Sequence, residues 1–312
     1  MSTRATTLPG PHRPLVPVAL AAATATLLGS RALRGTHWAR ARLERTNYHG
    51  RTVSLRGGLG VALGSVSAPT AGAVLDDAAR PGTALPAVAG AVAASAGALA
   101  GLVDDLDAGA HDGGTPVKGL RGHLGALRRG RVTTGALKIA VIGGGAAAAG
   151  SLLAAWRRFE RVPTAAPSAP GAVTDAVTSA VVIASWANVH NLLDLRPGRA
   201  LKAAALLSVP LTVAPGPGAA ACRALATGAL ATSVSALPED LRESTMLGDV
   251  GSNALGALVG TALAAHPAAG LRVLAAGLGT GLVLASEKVS FSTVIARTPV
   301  LNALDTLGRR AR

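Results

Sequence analysis

The stretch "MLGDVGSNALGALVGTALAAH", residues 246–266, decides how this chain is read. One carboxylate, Asp249, stands between glycines, and no charged residue follows until Arg272. The uncharged run 250–271 is 22 residues long, about what a helix needs to cross a hydrocarbon core. A span that opens on an aspartate places that aspartate at a membrane surface. The question is what a carboxylate does there.

Working outward, eight further windows without Asp, Glu, Lys or Arg appear: 14–30, 57–75, 81–103, 139–156, 176–193, 203–222, 224–238 and 273–286. All 16 acids of the 312-residue chain fall outside the nine windows. The expectation is an all-α integral membrane protein: one polytopic bundle of about nine (nine to ten) transmembrane helices over 1–312, with 286–312 as a cytoplasmic amphipathic tail. Composition agrees. Hydrophobic residues make up 49% of the chain, but aromatics only 2% and charged residues 15%, with 39 glycines. Soluble domains carry about a quarter charged residues. The first window is not read as a cleaved signal, because eight more follow. The single cysteine, Cys222, excludes an intrachain disulfide and a cysteine-based metal cluster.

The net charge of +14 suits nucleic acid or an anionic membrane surface, and its placement decides. Of the 30 basic residues, 22 lie in 31–56, 104–138, 189–202, 237–249 and 287–312, which share one side of a nine-span bundle. That side is read as cytoplasmic, with the N-terminus outside and the C-terminus inside. The charge is thus a topology signal, and no interleaved aromatics offer base stacking, so nucleic acid is not a partner. Trp38 and Trp156 are expected as interfacial anchors, and Trp186 as packing.

Three acidic stretches gather on the basic side: "GLVDDLD" with Asp104, Asp105 and Asp107, "NVHNLLDLRPG" with Asp194, and "LRESTMLGDVGS" with Asp249. A single such acid reads as a helix cap favouring the dipole. Three on one face, with Asn or small residues beside them, suit a hard cation that takes carboxylates and substrate phosphates. Nearby arginines suit a phosphate-bearing substrate.

These motifs, in this order and spacing, resemble the polyprenyl-phosphate N-acetylhexosamine-1-phosphate transferases. That family includes the phospho-N-acetylmuramoyl-pentapeptide transferase of peptidoglycan synthesis. "NYHGRTVSLRGGLG", 47–60, is similar to the family's first cytoplasmic loop, where a glycine pair opens the second span, and the likeness covers roughly 40–260. It implies transfer of a sugar-1-phosphate from a UDP-sugar to a polyprenyl phosphate with release of UMP, using Mg²⁺, in cell-wall or surface-polymer synthesis at the cytoplasmic face of the cell membrane. On that pattern Asp249 binds metal, and Asp104 and Asp105 lie near the metal or the lipid phosphate. Asp105 serves as a second metal ligand, Asp104, Asp105 and Asp194 as catalytic groups. Asn188 and Asn191 fall near the nucleotide, and Lys118 or Lys138 contacts phosphate. Gly248 and Gly251 are expected to let phosphates approach the backbone. The partners implied are the UDP-sugar, the lipid and the membrane, with a homodimer as candidate assembly.

The sequence also departs from the family. Asp194 is followed by "LRPGRALK" in place of a glycine-rich acidic run, and the late histidine-rich loop and tenth span are missing. The alternative is a catalytically inactive member acting as a membrane scaffold or regulator of envelope enzymes. A transporter would carry ionisable groups inside its spans, and the windows hold no Asp, Glu, Lys or Arg. His190, inside the second motif, either contacts substrate or is structural; His49 and His123 read as solvated.

Overall fold

A computed structural model describes residues 15–79, 84–107, 133–160 and 169–310. Most of the charge-free windows become helices over their described residues, because a run of Ala, Leu, Val and Gly in lipid must satisfy its backbone internally. The helices are α1 (Leu15–Ala32), a short α2 (His37–Leu43), α3 (Arg56–Ala79), α4 (Leu85–Asp107), α5 (Thr134–Glu160), α6 (Ala169–Leu193), α7 (Arg199–Thr212), α8 (Ala220–Leu241), α9 (Gly248–Ala264) and α10 (Ala269–Ser286). Two short helices, α11 (Phe291–Arg297) and α12 (Pro299–Thr306), follow. Seven of the described helices are long and apolar enough to cross a membrane. The chain is a multi-pass, all-α membrane protein.

Two windows depart from the expected spans. Window 203–222 does not form one helix: α7 stops at Thr212, a turn and a 3₁₀ segment (Pro217–Ala219) follow, and α8 begins at Ala220. The cause is "PGPG", 215–218, since each proline lacks the N–H that a continuing helix would use. At 14 residues, α7 rises only about 21 Å. The second is α9, 17 residues long and buried almost throughout. Being apolar on every side, it forms the centre of the bundle, with α3, α4, α6 and α8 packed around it.

Close approach makes this centre possible. A Cβ on Gly101 of α4 would lie 2.2 Å from the Asp249 carbonyl oxygen, and one on Gly58 of α3 would lie 1.7 Å from that of Leu247. Dense backbone contact replaces bulky side chains in a membrane core. Gly251 belongs to the same contact, since its Cβ would fall 2.7 Å from Gly58 Cα. Its role is therefore helix packing, and the expected opening to phosphate is closed by α3.

Charged residues gather at the two ends of the bundle. At the end away from the acidic motifs, Asp175 holds Arg157 (2.6 Å) and Arg272 (3.2 Å). Arg157 also donates to the Ser179 hydroxyl (2.8 Å) and the Ala264 carbonyl (2.9 Å), tying α5, α6, α9 and α10 together. Asp175 anchors a largely buried network that links these helices. Trp156 is 5% exposed and packs in the main core, so it is not an interfacial anchor. Trp38 is 51% exposed, as an anchor requires, and Trp186 donates to Ala275 O of α10 at 3.0 Å, a packing role.

Candidate functional site

At the other end, a hairpin of β1 (Glu44–Thr46) and β2 (Thr52–Ser54) covers the acidic motifs. Its turn follows from Asn47, whose side-chain oxygen accepts from the His49 and Arg51 amides, and from Gly50 at φ 74°. Ser54 continues the pairing, donating to Ser244 O and accepting from Met246 N. Glu243 fixes the hairpin from beneath: its carboxylate meets Asn47 Nδ2 (2.5 Å), His49 Nδ1 (2.9 Å) and Arg51 Nη1 (3.2 Å). Burial raises its pKa, but the His49 and Asn47 hydrogen bonds and the Arg51 charge outweigh this and hold it below the usual glutamate range.

The three motifs meet at the N-terminus of α9. Asp105, on the last turn of α4, accepts from the Asp249 amide (3.2 Å) and the Val250 amide (2.9 Å). It caps α9 across the helix interface, satisfying amides that the helix itself cannot. Gly248 at φ 58° lets the chain enter α9 against this carboxylate, whose oxygens would stand 2.9 and 3.0 Å from a Cβ there. Arg45 Nη2 donates to Asp105 O at 2.6 Å and fixes the end of α4 from the hairpin.

Asp104 turns the other way. Lys138, at the start of α5, pairs with Asp249 and lies 3.7 Å from Asp104. Asn191 completes the cradle: with its amide turned to satisfy both ends, its oxygen accepts from Lys138 Nζ (3.0 Å) and its nitrogen donates to Asp249 Oδ1 (2.9 Å) and Ser252 Oγ (3.0 Å). Asp104, Asp249 and Asn191 thus converge on one ammonium. Among the described residues, no three His, Cys, Asp or Glu side chains form a ready metal cage.

Asp194 follows α6 and faces both this cradle and a cavity of about 420 Å³. Burial drives its pKa well above the ordinary aspartate value, with the charges of Asp240, Asp249 and Asp105 acting in the same direction and a Gly248 amide hydrogen bond opposing them. The cavity lies between the hairpin (Asn47, Tyr48), the loop Leu195–Pro197, and Asp240 and Glu243. The Arg196 guanidinium lies over the Tyr48 ring at its mouth, a cation–π arrangement.

Most of the expected residues therefore come together: Asp104, Asp105, Asn191, Asp194, Asp249 and Lys138 meet across four helices. Asn188 is half-buried one turn back from Asn191. Lys118 and His123 lie outside the described residues. His190 is fully buried with Nδ1 on Trp186 O (2.8 Å), so it packs and does not face the cavity. His49 is not merely solvated but pairs with Glu243. Sequence reasoning missed Asp240, which accepts from Gly198 N (2.5 Å) and lines the cavity. Its signal was an acid at a span end, as at Asp104, but without a glycine-rich motif beside it. Tyr48 and Arg196 were also missed, because the sequence separates them by more than a hundred residues. No protein-family model matches the chain, and no curated protein is significantly similar to it.

Proposed function

We propose that the chain transfers a sugar-1-phosphate from a UDP-sugar to a polyprenyl phosphate at the cytoplasmic face of the cell membrane. The observation that carries this reading is the cradle: Asp104, Asp249 and Asn191 present hard oxygen donors to a single cation beside a cavity of nucleotide size. The donor set fits Mg²⁺, which takes one or two carboxylates and completes its shell with water and substrate phosphates. When bound, Mg²⁺ would neutralise the diphosphate and favour departure of UMP.

Asp249 and Asp104 would hold the cation, and Asn191 orients Asp249. Asp105 acts one step removed, by setting the α9 terminus that carries Asp249. This moves the second ligand from Asp105, as the family resemblance had it, to Asp104. Lys138 is close enough to shift from the carboxylates to a substrate phosphate oxygen. Asp194 and the Arg196–Tyr48 pair line the nucleotide side. A phosphate oxygen of the lipid attacks the β-phosphorus, and the bond from that phosphorus to the bridging oxygen breaks. Such a displacement needs positioning and charge neutralisation more than covalent help from the protein. The cradle sits at a helix end, where a lipid phosphate at headgroup depth can reach it.

A second reading is a catalytically inactive relative that organises envelope enzymes. The self-satisfied state of the cradle favours it, since Lys138 already neutralises Asp249 and both Asp105 oxygens are taken by backbone amides. The test is a membrane assay with radiolabelled UDP-N-acetylglucosamine and undecaprenyl phosphate, comparing wild type with Asp249→Asn. The transferase reading expects lipid-linked label from wild type and none from a folded Asp249→Asn protein. Label from both would remove the cradle from the chemistry.

A further inference from the structure

The last helix of the chain is inside out. In α12 the one buried residue is Asp305, while Val300 (70% exposed), Leu301 (42%) and Leu304 (43%), with Leu307 (66%) just past its end, stand uncovered. A helix that buries its aspartate and exposes its leucines needs an apolar cover from outside the protein. Its position says which cover. It follows the spanning helix α10 by way of the short helix α11, and its anchor points, Arg199 and Lys202, are in the first turn of α7.

The anchors are unusually complete. Arg199 donates to both Asp305 oxygens (2.8 and 2.9 Å), a bidentate pair with both side chains 7% exposed, and also reaches Ser292 of α11 (3.0 Å). Lys202 Nζ caps α12 by donating to the carbonyls of Leu304, Asp305 and Leu307 (2.9, 2.7 and 3.0 Å). Arg309 bonds Pro197 O (2.9 Å) and Asp305. Burial raises the Asp305 pKa, but the Arg199 and Arg309 contacts overcome it and keep the group below its ordinary value. Pro197 and Ser292 both line the cavity. The tail therefore grips Pro197 of the loop that forms the cavity wall and Arg199 just beyond it.

We propose that residues 287–310 form an interfacial strap: the apolar face of α12 enters the headgroup layer of the bilayer, and the Asp305–Arg199 and Arg309–Pro197 contacts convert that docking into a fixed cavity wall. Lys288, Arg297 and Arg310 on the same segment suit anionic headgroups. The inference does not depend on what the cavity binds.

The experiment uses the full chain in nanodiscs of phosphatidylcholine with or without phosphatidylglycerol. A nitroxide at Leu301→Cys, in a Cys222→Ala background, reports depth through its relative accessibility to oxygen and to a water-soluble nickel chelate. The strap expects oxygen to dominate, more so with the anionic lipid; a water-facing reading at Leu301 overturns the docking. Hydrogen exchange of the peptide 194–199 is then followed in Asp305→Asn and in Leu301→Glu/Leu304→Glu. Both are expected to speed its exchange about tenfold while 250–263 stays protected, as local opening allows. The leucine variant isolates the bilayer contact, since it leaves the ion pairs intact. If that variant exchanges like wild type, α12 does not transmit bilayer contact to the wall, and the proposal falls.

Discussion

Asp104 and Asp105 are neighbours in sequence, yet the structure gives them opposite work, and their alanine variants separate the two. Asp105→Ala removes both acceptors from the Asp249 and Val250 amides at the N-terminus of α9. Loss of an N-cap costs about 0.5–2 kcal/mol, and loss of a carboxylate at a partly buried helix terminus adds about 0.3–2 kcal/mol. Relief of repulsion from Asp249 and Asp194 offsets part of this. The expected net loss is about 1–3 kcal/mol, a drop of several degrees in Tm. Asp104→Ala removes no backbone acceptor and relieves one like charge, so its Tm is expected to stay within about a degree of wild type. Asp105→Asn keeps one acceptor and should fall between. The assay is thermal unfolding of detergent-solubilised protein followed by tryptophan fluorescence, since Trp156 and Trp186 are 5% and 8% exposed. Equal melting of the two alanine variants, or a larger loss in Asp104→Ala, would refute the capping role of Asp105.

Lys138→Met leaves Asp104 and Asp249 without their ammonium; we expect a loss of about 2 kcal/mol without metal, and a larger Mg²⁺-dependent rise in Tm than in wild type, measured in the same melts. Arg157→Met leaves Asp175 with Arg272 alone and removes the donors to Ser179 and the Ala264 carbonyl; it should cost about 1–3 kcal/mol, read as a fall in Tm or in yield of folded protein. Glu243 has a depressed pKa, so its contribution is full above the ordinary glutamate value and is lost as pH falls through the lower folded value; the Tm gap between wild type and Glu243→Gln should therefore be widest near neutral pH and close in acid. For the orientation, an impermeant thiol reagent on intact cells should label Phe159→Cys and spare Leu195→Cys, and the reverse would invert the proposed topology.

The membrane class was legible because charge exclusion over nine windows is a composition effect that burial in lipid imposes on every span. The site was legible in outline because Asp104, Asp194 and Asp249 each stand at a window end beside small or amide residues. What the sequence hid was pairwise. Nothing in "GLVDDLD" distinguishes the carboxylate that caps α9 from the one that faces Lys138, because that choice depends on how Gly101 lets α4 settle against Asp249 O. The turn at "PGPG" was written in the sequence, but a window defined by missing charge passes over it, since hydropathy runs on through the turn. In the tail the break at Pro299 is local, but its grip on Arg199 is a tertiary fact.

The central claim is that phosphorus, and not the sugar alone, crosses to the lipid at the Asp104–Asp249 cradle. The direct measurement supplies purified protein in nanodiscs with undecaprenyl phosphate, Mg²⁺ and UDP-N-acetylglucosamine carrying ³²P at the β-position, and separates lipid from water-soluble products. A sugar-1-phosphate transferase places the label in the lipid fraction and releases unlabelled UMP, and Asp249→Asn abolishes both. Label that stays in the aqueous phase as UDP would show plain glycosyl transfer, and label left wholly in the starting nucleotide sugar would show no turnover of this donor; either result contradicts the account.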